Sequence, residues 1–289
     1  MLGAAWIADV ALLPAIDRSR NGRLVALASR SHERAREILA PYPRALVVDS
    51  YDAVLELSEV DAVYIPLVNN LHLQWTLRAL ARGKHVLCEK PLAMNATEAE
   101  DMAAVAARSE RLLMEAFMYR FDPRVRDFVA GISEPLHVQA SFGFTLNGEG
   151  NYRFDAALGG GALLDVGCYG VSVSRWILGE PVDVVARARF EGGVDLTASV
   201  LLGFDGGPTA SVFASFESAE NQEVTVIGRR GVQRLERPFN RIEDPLEPYR
   251  VMVESFADSI LEGRPAEIPW SESIANMQTL DRIRAAFSS

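Results

Sequence analysis

Short, wholly apolar runs alternate with amphipathic stretches through residues 1–120, and this alternation limits the fold more than any other feature of the chain. Leu24-Val25-Ala26-Leu27-Ala28 reads as a brief strand covered on both faces, and Leu46-Val47-Val48, Val60 to Ile65, His85 to Cys88 and Leu112-Leu113-Met114 read as further short strands. Between them lie helical patterns. Ser31 to Ala40 opens on a Ser cap with Glu33 in its first turn, and Ser50 to Leu57 forms a turn or two. His72 to Arg82 ends at Gly83, and Glu98 to Ser109 is capped by Asn95 or Thr97. Strands and helices of these lengths in alternation require βαβ units and a parallel sheet.

The second half changes pattern. Leu136 to Phe144, Val182 to Phe190, Leu196 to Phe204, Thr209 to Phe216 and Glu223 to Gly228 are longer strands, several alternating apolar and polar. Gly192-Gly193 and Asp205-Gly206-Gly207 supply turns between them, so a largely antiparallel sheet with one covered face is expected. Helices are expected at Asp165 to Leu178, at Tyr249 to Leu261, and from a Ser271 cap to Ala286. The fold class is therefore α/β: a Rossmann-type domain over residues 1–120, then an α+β domain over residues 121–289 for substrate and dimerisation. The last helix is expected to pack back on the first domain.

The start of the chain departs from that scheme. A dinucleotide-binding unit runs strand, small-residue turn, then helix with its N-terminus facing the pyrophosphate. Gly3-Ala4-Ala5 reads as the turn and Ala5 to Asp17 as the helix, but only Met1 and Leu2 precede them. A central strand bonds neighbours on both sides, and each of its apolar residues is worth about 1.5–3 kcal/mol when buried. The expectation is that the true start lies several codons upstream of Met1. An intact mass equal to that of 289 residues would refute it.

Composition excludes several classes. The net charge of −10 repels nucleic acid and anionic lipid as a whole. Two cysteines, Cys88 and Cys168, both in apolar settings, argue for buried free thiols rather than a disulfide framework. Four histidines and two cysteines show no metal-ligand spacing. No apolar run approaches the ~18–20 residues of a membrane span, and the apolar N-terminus lacks a basic leader and is broken by Asp9. A cytoplasmic location is expected.

Chemistry concentrates at strand ends. Val86-Leu87-Cys88 stops in Glu89-Lys90-Pro91, and ligands of open α/β sheets bind beyond the carboxyl ends of strands. Lys90 is either a surface partner of Glu89 or a group presented to ligand. Downstream, Gly159-Gly160-Gly161 precedes Asp165 and Tyr169, which share one face of a helix at i, i+4 spacing. Their bland roles are a helix cap and a core residue. Oxidising an alcohol requires a base for the hydroxyl proton. A phenol of pKa ~10 serves when a neighbouring cation favours phenolate. Lys90 can supply that charge or hold the substrate oxygen, and Asp165 can orient the pair. At the end of the second strand Ser29, Arg30 and Arg34 stand where an acid would select NAD, so a 2′-phosphate is favoured over a free ribose unless these form only a solvated helix start. Pro66 to His72 follows a strand, and there Asn69, Asn70 and His72 either hydrogen-bond ligand or cap the next helix.

Glu89-Lys90-Pro91, Gly159-Gly160-Gly161 with Asp165 and Tyr169, and Met118-Tyr119-Arg120-Phe121 together resemble the Gfo/Idh/MocA oxidoreductases, in particular their dihydrodiol and NADP-dependent xylose dehydrogenase branch. The match extends from Leu2 to the final helix. The resemblance implies a Rossmann domain joined to a domain whose open sheet forms a homodimer or higher homo-oligomer. It implies Lys90, Asp165 and Tyr169 as the catalytic set. Gly3, Ala4, Ala5, Trp6 and Ile7 fall at the pyrophosphate turn, Ser29, Arg30 and Arg34 at the 2′-phosphate, Glu89 and Pro91 at the nicotinamide end, and Pro66, Asn69, His72, Lys90 and Arg120 beside the cofactor. Asp122 stands where many relatives of that branch carry His. The expected activity is hydride transfer between NADP, preferred over NAD, and an alcohol carbon of a sugar, polyol or cyclic diol. The alternatives are a non-catalytic NADP-binding regulator, or a lyase or imine reductase on the same fold.

Overall fold

The computed structural model describes residues 1–148, 150–240 and 243–287. Its chain divides into two compact units. Unit 1 comprises Met1–Ala93, Thr97–Phe121 and Asp244–Ser273, and unit 2 comprises Met94–Ala96, Asp122–Glu243 and Ile274–Ser289.

In unit 1 a π-type turn, Ala8–Leu12, runs into α1 (Leu13–Arg18). There follow β1 (Ala26–Ala28), α2 (His32–Leu39), β2 (Leu46–Val48), α3 (Tyr51–Glu56), β3 (Ala62–Ile65), α4 (His72–Ala81), β4 (His85–Cys88), α5 (Ala96–Ser109, whose first residue falls in unit 2) and β5 (Leu113–Glu115). All pairings are parallel: β1 with β2, and β3 with β4 with β5. Ser31 caps α2 by accepting from the Arg34 amide at 3.1 Å, as its sequence indicates. Thr97, in contrast, lies inside α5, which begins at Ala96.

Met1 and Leu2 occupy the gap between the two sheet fragments. Leu2 bridges Ala28, its amide donates to the Tyr64 carbonyl at 3.0 Å, and the Ala28 amide donates to the Met1 carbonyl at 3.1 Å. These bonds place two residues between β1 and β3, the middle position of the unit's strands. Beside them lies a cavity of about 270 Å³ lined by Val25, Ala26, Ala62, Val63, Val253 and Phe256 among others. The last two belong to α8 (Glu247–Glu262), which clusters with unit 1 although it follows the second sheet in sequence.

Unit 2 holds α6 (Pro123–Ala130), β6 (Pro135–Gly143), α7 (Cys168–Leu178), β7 (Pro181–Glu191), β8 (Val194–Phe204), β9 (Thr209–Ser215), β10 (Asn221–Gly228), β11 (Gly231–Glu236) and most of α9 (Trp270–Ala286). The strand order is β11-β10-β6-β9-β8-β7, with β6–β9 parallel and the rest antiparallel. Ser271, expected as a cap, falls inside α9. Helix α6 and strand β11 were not indicated by the apolar pattern. The first buries one side chain, Val125, and the second is a mostly exposed edge, so neither leaves an apolar signature.

Helix α7 packs on one face of this sheet. A Cβ at Gly170 would come within 2.6 Å of Val212 Cγ1 and 3.4 Å of Ala140 Cβ, so the helix lies too close for any side chain there. Gly170→Val is expected to cost about 1–3 kcal/mol through overpacking, read as a lower midpoint in thermal or urea unfolding. The opposite face is open: register sets Val185 against Leu201 and Ile227 against Val232, and all four are exposed. One helical stretch, 156–178, does meet the length and hydropathy of a membrane span, contrary to the sequence expectation, but 78% of its apolar window is buried within the protein.

Candidate active site

In unit 1 the turn Gly3-Ala4-Ala5 has a geometry set by Gly3. Its φ of +116° suits glycine alone, and a Cβ there would strike Leu67 Cδ2 at 2.9 Å. Its amide donates to Ala28 at 2.8 Å, tying the turn to the end of β1. The first internal helical bonds run from the Ala8 and Asp9 amides to the Ala5 carbonyl. The amides of Ala4, Ala5, Trp6 and Ile7 thus precede the ladder, where helix starts present donors to anions. Trp6 is 72% exposed.

Beyond β1, Ser29 Oγ accepts from the Ser31 amide at 3.2 Å. Arg30 is exposed, and its charge bears on the Tyr51 phenol, which burial nonetheless raises. Arg34 is engaged within the protein, with Asp9 at 2.5 Å and Glu37 at 2.8 Å. Of the two arginines, Arg30 is therefore the one not tied to these carboxylates. Pro66 ends β3 and is buried, and Asn69 is buried in the 3₁₀ turn Asn69–Leu71. Arg120 lies half-buried in a similar turn, Met118–Phe121.

His72 is fully enclosed. Its Nδ1 lies 2.9 Å from the Pro91 carbonyl and its Nε2 lies 3.0 Å from that of Leu67. Burial lowers its pKa, and the neutral ring donates its single N–H to one of these two carbonyls.

The loop after β4 carries Glu89 and Lys90. Glu89 follows β4 directly, and its carboxylate accepts from the Tyr64 hydroxyl and from the Lys90 amide, the latter at 3.2 Å. Tyr64 is pushed well above the usual phenol range by burial and by Glu89. Tyr249 of α8 is raised by burial and Glu89 and lowered by Lys90, which places that phenol within the field of both charges. The segment after Lys90 is held by Glu115, a buried carboxylate at the end of β5 that accepts from the Leu92 amide at 2.8 Å. The sequence reading passed over Tyr64, Glu115 and Tyr249. A carboxylate ending an apolar strand was the available signal for Glu115; nothing local pointed to Tyr249.

In unit 2, Asp165 lies in a π-type turn, Leu163–Gly167, that continues as α7 with Tyr169 in its first turn. Such turns recur at functional sites. Asp165 Oδ2 accepts from Arg153 Nε at 2.7 Å. Burial opposes the Arg153 charge, but the carboxylate outweighs it and the guanidinium pKa rises. Arg153 comes from the loop after β6, and the sequence pattern gave it no role. Tyr169 is 7% exposed and meets Phe142 at 5.7 Å and Phe239 at 5.2 Å between ring centroids, forming an apolar wall beside a polar tip. Asp122 is buried and caps α6, accepting from the Arg124 amide at 2.9 Å and pairing with its guanidinium at 2.7 Å.

Two family models cover most of the chain: "Oxidoreductase family, NAD-binding Rossmann fold" over residues 1–117 and "GFO/IDH/MocA C-terminal domain" over residues 125–234. A D-xylose 1-dehydrogenase (NADP(+)) of Haloferax volcanii is 36% identical across 98% of this chain and 95% of its own. The chain belongs to the Gfo/Idh/MocA oxidoreductases. A Xenopus laevis trans-1,2-dihydrobenzene-1,2-diol dehydrogenase is 31% identical over 78% of this chain and 70% of its own. Among solved structures, a 3-ketoreductase from Actinomadura kijaniata in complex with NADP and TDP-benzene superposes with a TM-score of 0.91 at 31% identity, covering 99% of this chain and 96% of that one. The parallel sheet of unit 1 and the six-stranded sheet of unit 2 are thus this oxidoreductase family's two domains.

Proposed function

We propose that this Gfo/Idh/MocA protein is an NADP-preferring dehydrogenase acting on a CH–OH group of a sugar, polyol or cyclic diol. What supports the reading is the placement of three groups able to move or steady a proton: Lys90 directly beyond β4 in unit 1, and Asp165 and Tyr169 one helical turn apart in unit 2. A regulator that only binds NADP needs the pocket but not these three groups. The named activities of the Haloferax and Xenopus relatives favour alcohol and diol substrates, and the aromatic wall beside Tyr169 suits the apolar face of a ring.

The residues of unit 1 fit NADP. The Gly3 turn, at φ +116°, suits glycine alone, the amides of Ala4 to Ile7 precede the helical ladder, and Arg30 rather than an acid follows β1. Held by these residues, the oxidised cofactor would supply the hydride acceptor for the alcohol carbon. Tyr169 removes the hydroxyl proton, Lys90 holds the oxygen and favours phenolate, and Asp165, fixed by Arg153, orients substrate. We further propose that the open face around Val185 and Leu201 closes a homodimer and that the enzyme works in the cytoplasm, where the buried free thiols Cys88 and Cys168 stay reduced.

The test is absorbance at 340 nm with NADP and NAD across aldoses, inositols and dihydrodiols. Turnover with at least one of them supports the reading. Tight NADP binding without turnover returns the regulator, and substrate loss without net absorbance change returns the lyase. Arg30→Ala is expected to raise the KM for NADP about tenfold or more and leave that for NAD unchanged, since a charged hydrogen bond to phosphate is worth about 1.5–3 kcal/mol. Equal effects on both cofactors would remove Arg30 from the 2′-phosphate.

A further inference from the structure

Asp195 is a buried carboxylate that the proposed chemistry does not use. It is the second residue of β8, 8% exposed. Its Oδ2 accepts from the Leu163 amide at 2.6 Å, the first residue of the π-type turn that carries Asp165. The chain approaches that bond through Gly161, with φ +113°, where a Cβ would fall 2.2 Å from Asp195 Oδ1. The same glycine donates its amide to the Arg153 carbonyl at 2.9 Å and accepts from the Asp165 amide at 3.1 Å. Asp195, Gly161 and Arg153 thus surround the one point from which the helix of Asp165 and Tyr169 starts. Helix starts leave their first amides without internal partners, and a side-chain acceptor fixes where the ladder begins.

We propose that Asp195 is a positioning residue: by accepting from the Leu163 amide it sets the start, and so the aim, of the helical segment that presents Asp165 and Tyr169. The inference rests on the dehydrogenase reading for its catalytic consequence, but the positioning itself does not. A supporting observation is energetic. Burial, more than any other influence, pushes the Asp195 pKa from 3.8 up to about 6, against the amides of Leu163 and Ala162, its own amide and the charge of Arg284 from α9. A group whose pKa rises on folding contributes stability below its unfolded value and loses it as pH climbs through the folded one. At neutral pH, then, this carboxylate is kept ionised at the expense of the fold, as expected for a group retained for geometry.

The test compares Asp195→Ala with Asp195→Asn, whose amide oxygen still accepts from Leu163. Asp195→Ala is expected to lower kcat by about ten- to a hundredfold, the scale of a small misplacement of reacting groups, with NADP affinity by fluorescence titration unchanged. Asp195→Asn is expected to restore kcat and to melt above wild type at pH 8 but level with it near pH 4. Amide exchange of the 161–169 segment should quicken in Asp195→Ala and recover in Asp195→Asn. Wild-type turnover or exchange in Asp195→Ala overturns the proposal, as does Asp195→Asn failing in step with Ala. If Asp195→Ala does not fold, Asp195→Asn decides by its turnover and melting alone. A wild type inactive on every alcohol sinks the dehydrogenase reading, while the exchange comparison still decides whether Asp195 holds the helix start.

Discussion

Tyr169→Phe is expected to lower kcat by about 10²- to 10⁴-fold, the range that a positioned acid or base contributes, and to leave NADP affinity at its wild-type value. The substitution removes one oxygen and keeps the ring. Its packing against Phe142 and Phe239 therefore survives, and the protein should unfold at nearly the wild-type temperature. A loss of turnover with intact folding and intact cofactor binding isolates the hydroxyl. The KM for the alcohol should change little, because proton removal is needed only as the transition state is approached. Single-turnover absorbance at 340 nm measures the chemical step directly. A decrease of only a few-fold would hand proton transfer to another group, and the half-buried phenol of Tyr249, already within the field of Lys90, would be the next to replace.

Why some of this was legible in the sequence and some was not follows from where each signal resides. Parallel strands buried on both faces must be largely apolar runs, and β1, β3, β4 and β5 each appear as one; β2 is apolar too, but it is a half-exposed edge with Leu46 in solvent. Lys90 was visible because a strand ending in charge is unusual, and Asp165 with Tyr169 because helical spacing places them together. Contacts between residues distant in sequence carry no such local mark. Arg153 reaches Asp165 from a loop, Asp195 reaches Leu163 from a strand, and Tyr249 approaches Glu89 from a helix more than 150 residues later in the chain. His72 shows the reverse. Its position after β3 suggested a ligand contact, yet both ring nitrogens face backbone carbonyls, so its part is to hold the loops. Arg34 likewise matched the 2′-phosphate by position, but Asp9 and Glu37 already engage it, and those partners are set by helix packing that no local spacing reveals.

Lys90→Ala is expected to lower kcat/KM for the alcohol by about 10²- to 10⁴-fold while NADP binding persists. Two roles are open to the ammonium: a hydrogen bond to the reacting oxygen, and a positive charge that favours phenolate at Tyr169. They predict different couplings. If Lys90 acts only by gripping the alcohol, its loss adds to that of Tyr169, and Lys90→Ala with Tyr169→Phe multiplies the two defects. If it also tunes the phenol, removing Tyr169 leaves Lys90 less to do, and the double variant is scarcely worse than Tyr169→Phe alone. The fold should tolerate the change, because Glu89 keeps the Tyr64 hydroxyl and a backbone amide as donors, and His72 and Glu115 continue to hold the segment that follows. Unchanged turnover in Lys90→Ala would remove the residue from the catalytic set and return it to the surface pair with Glu89 that its sequence also allowed.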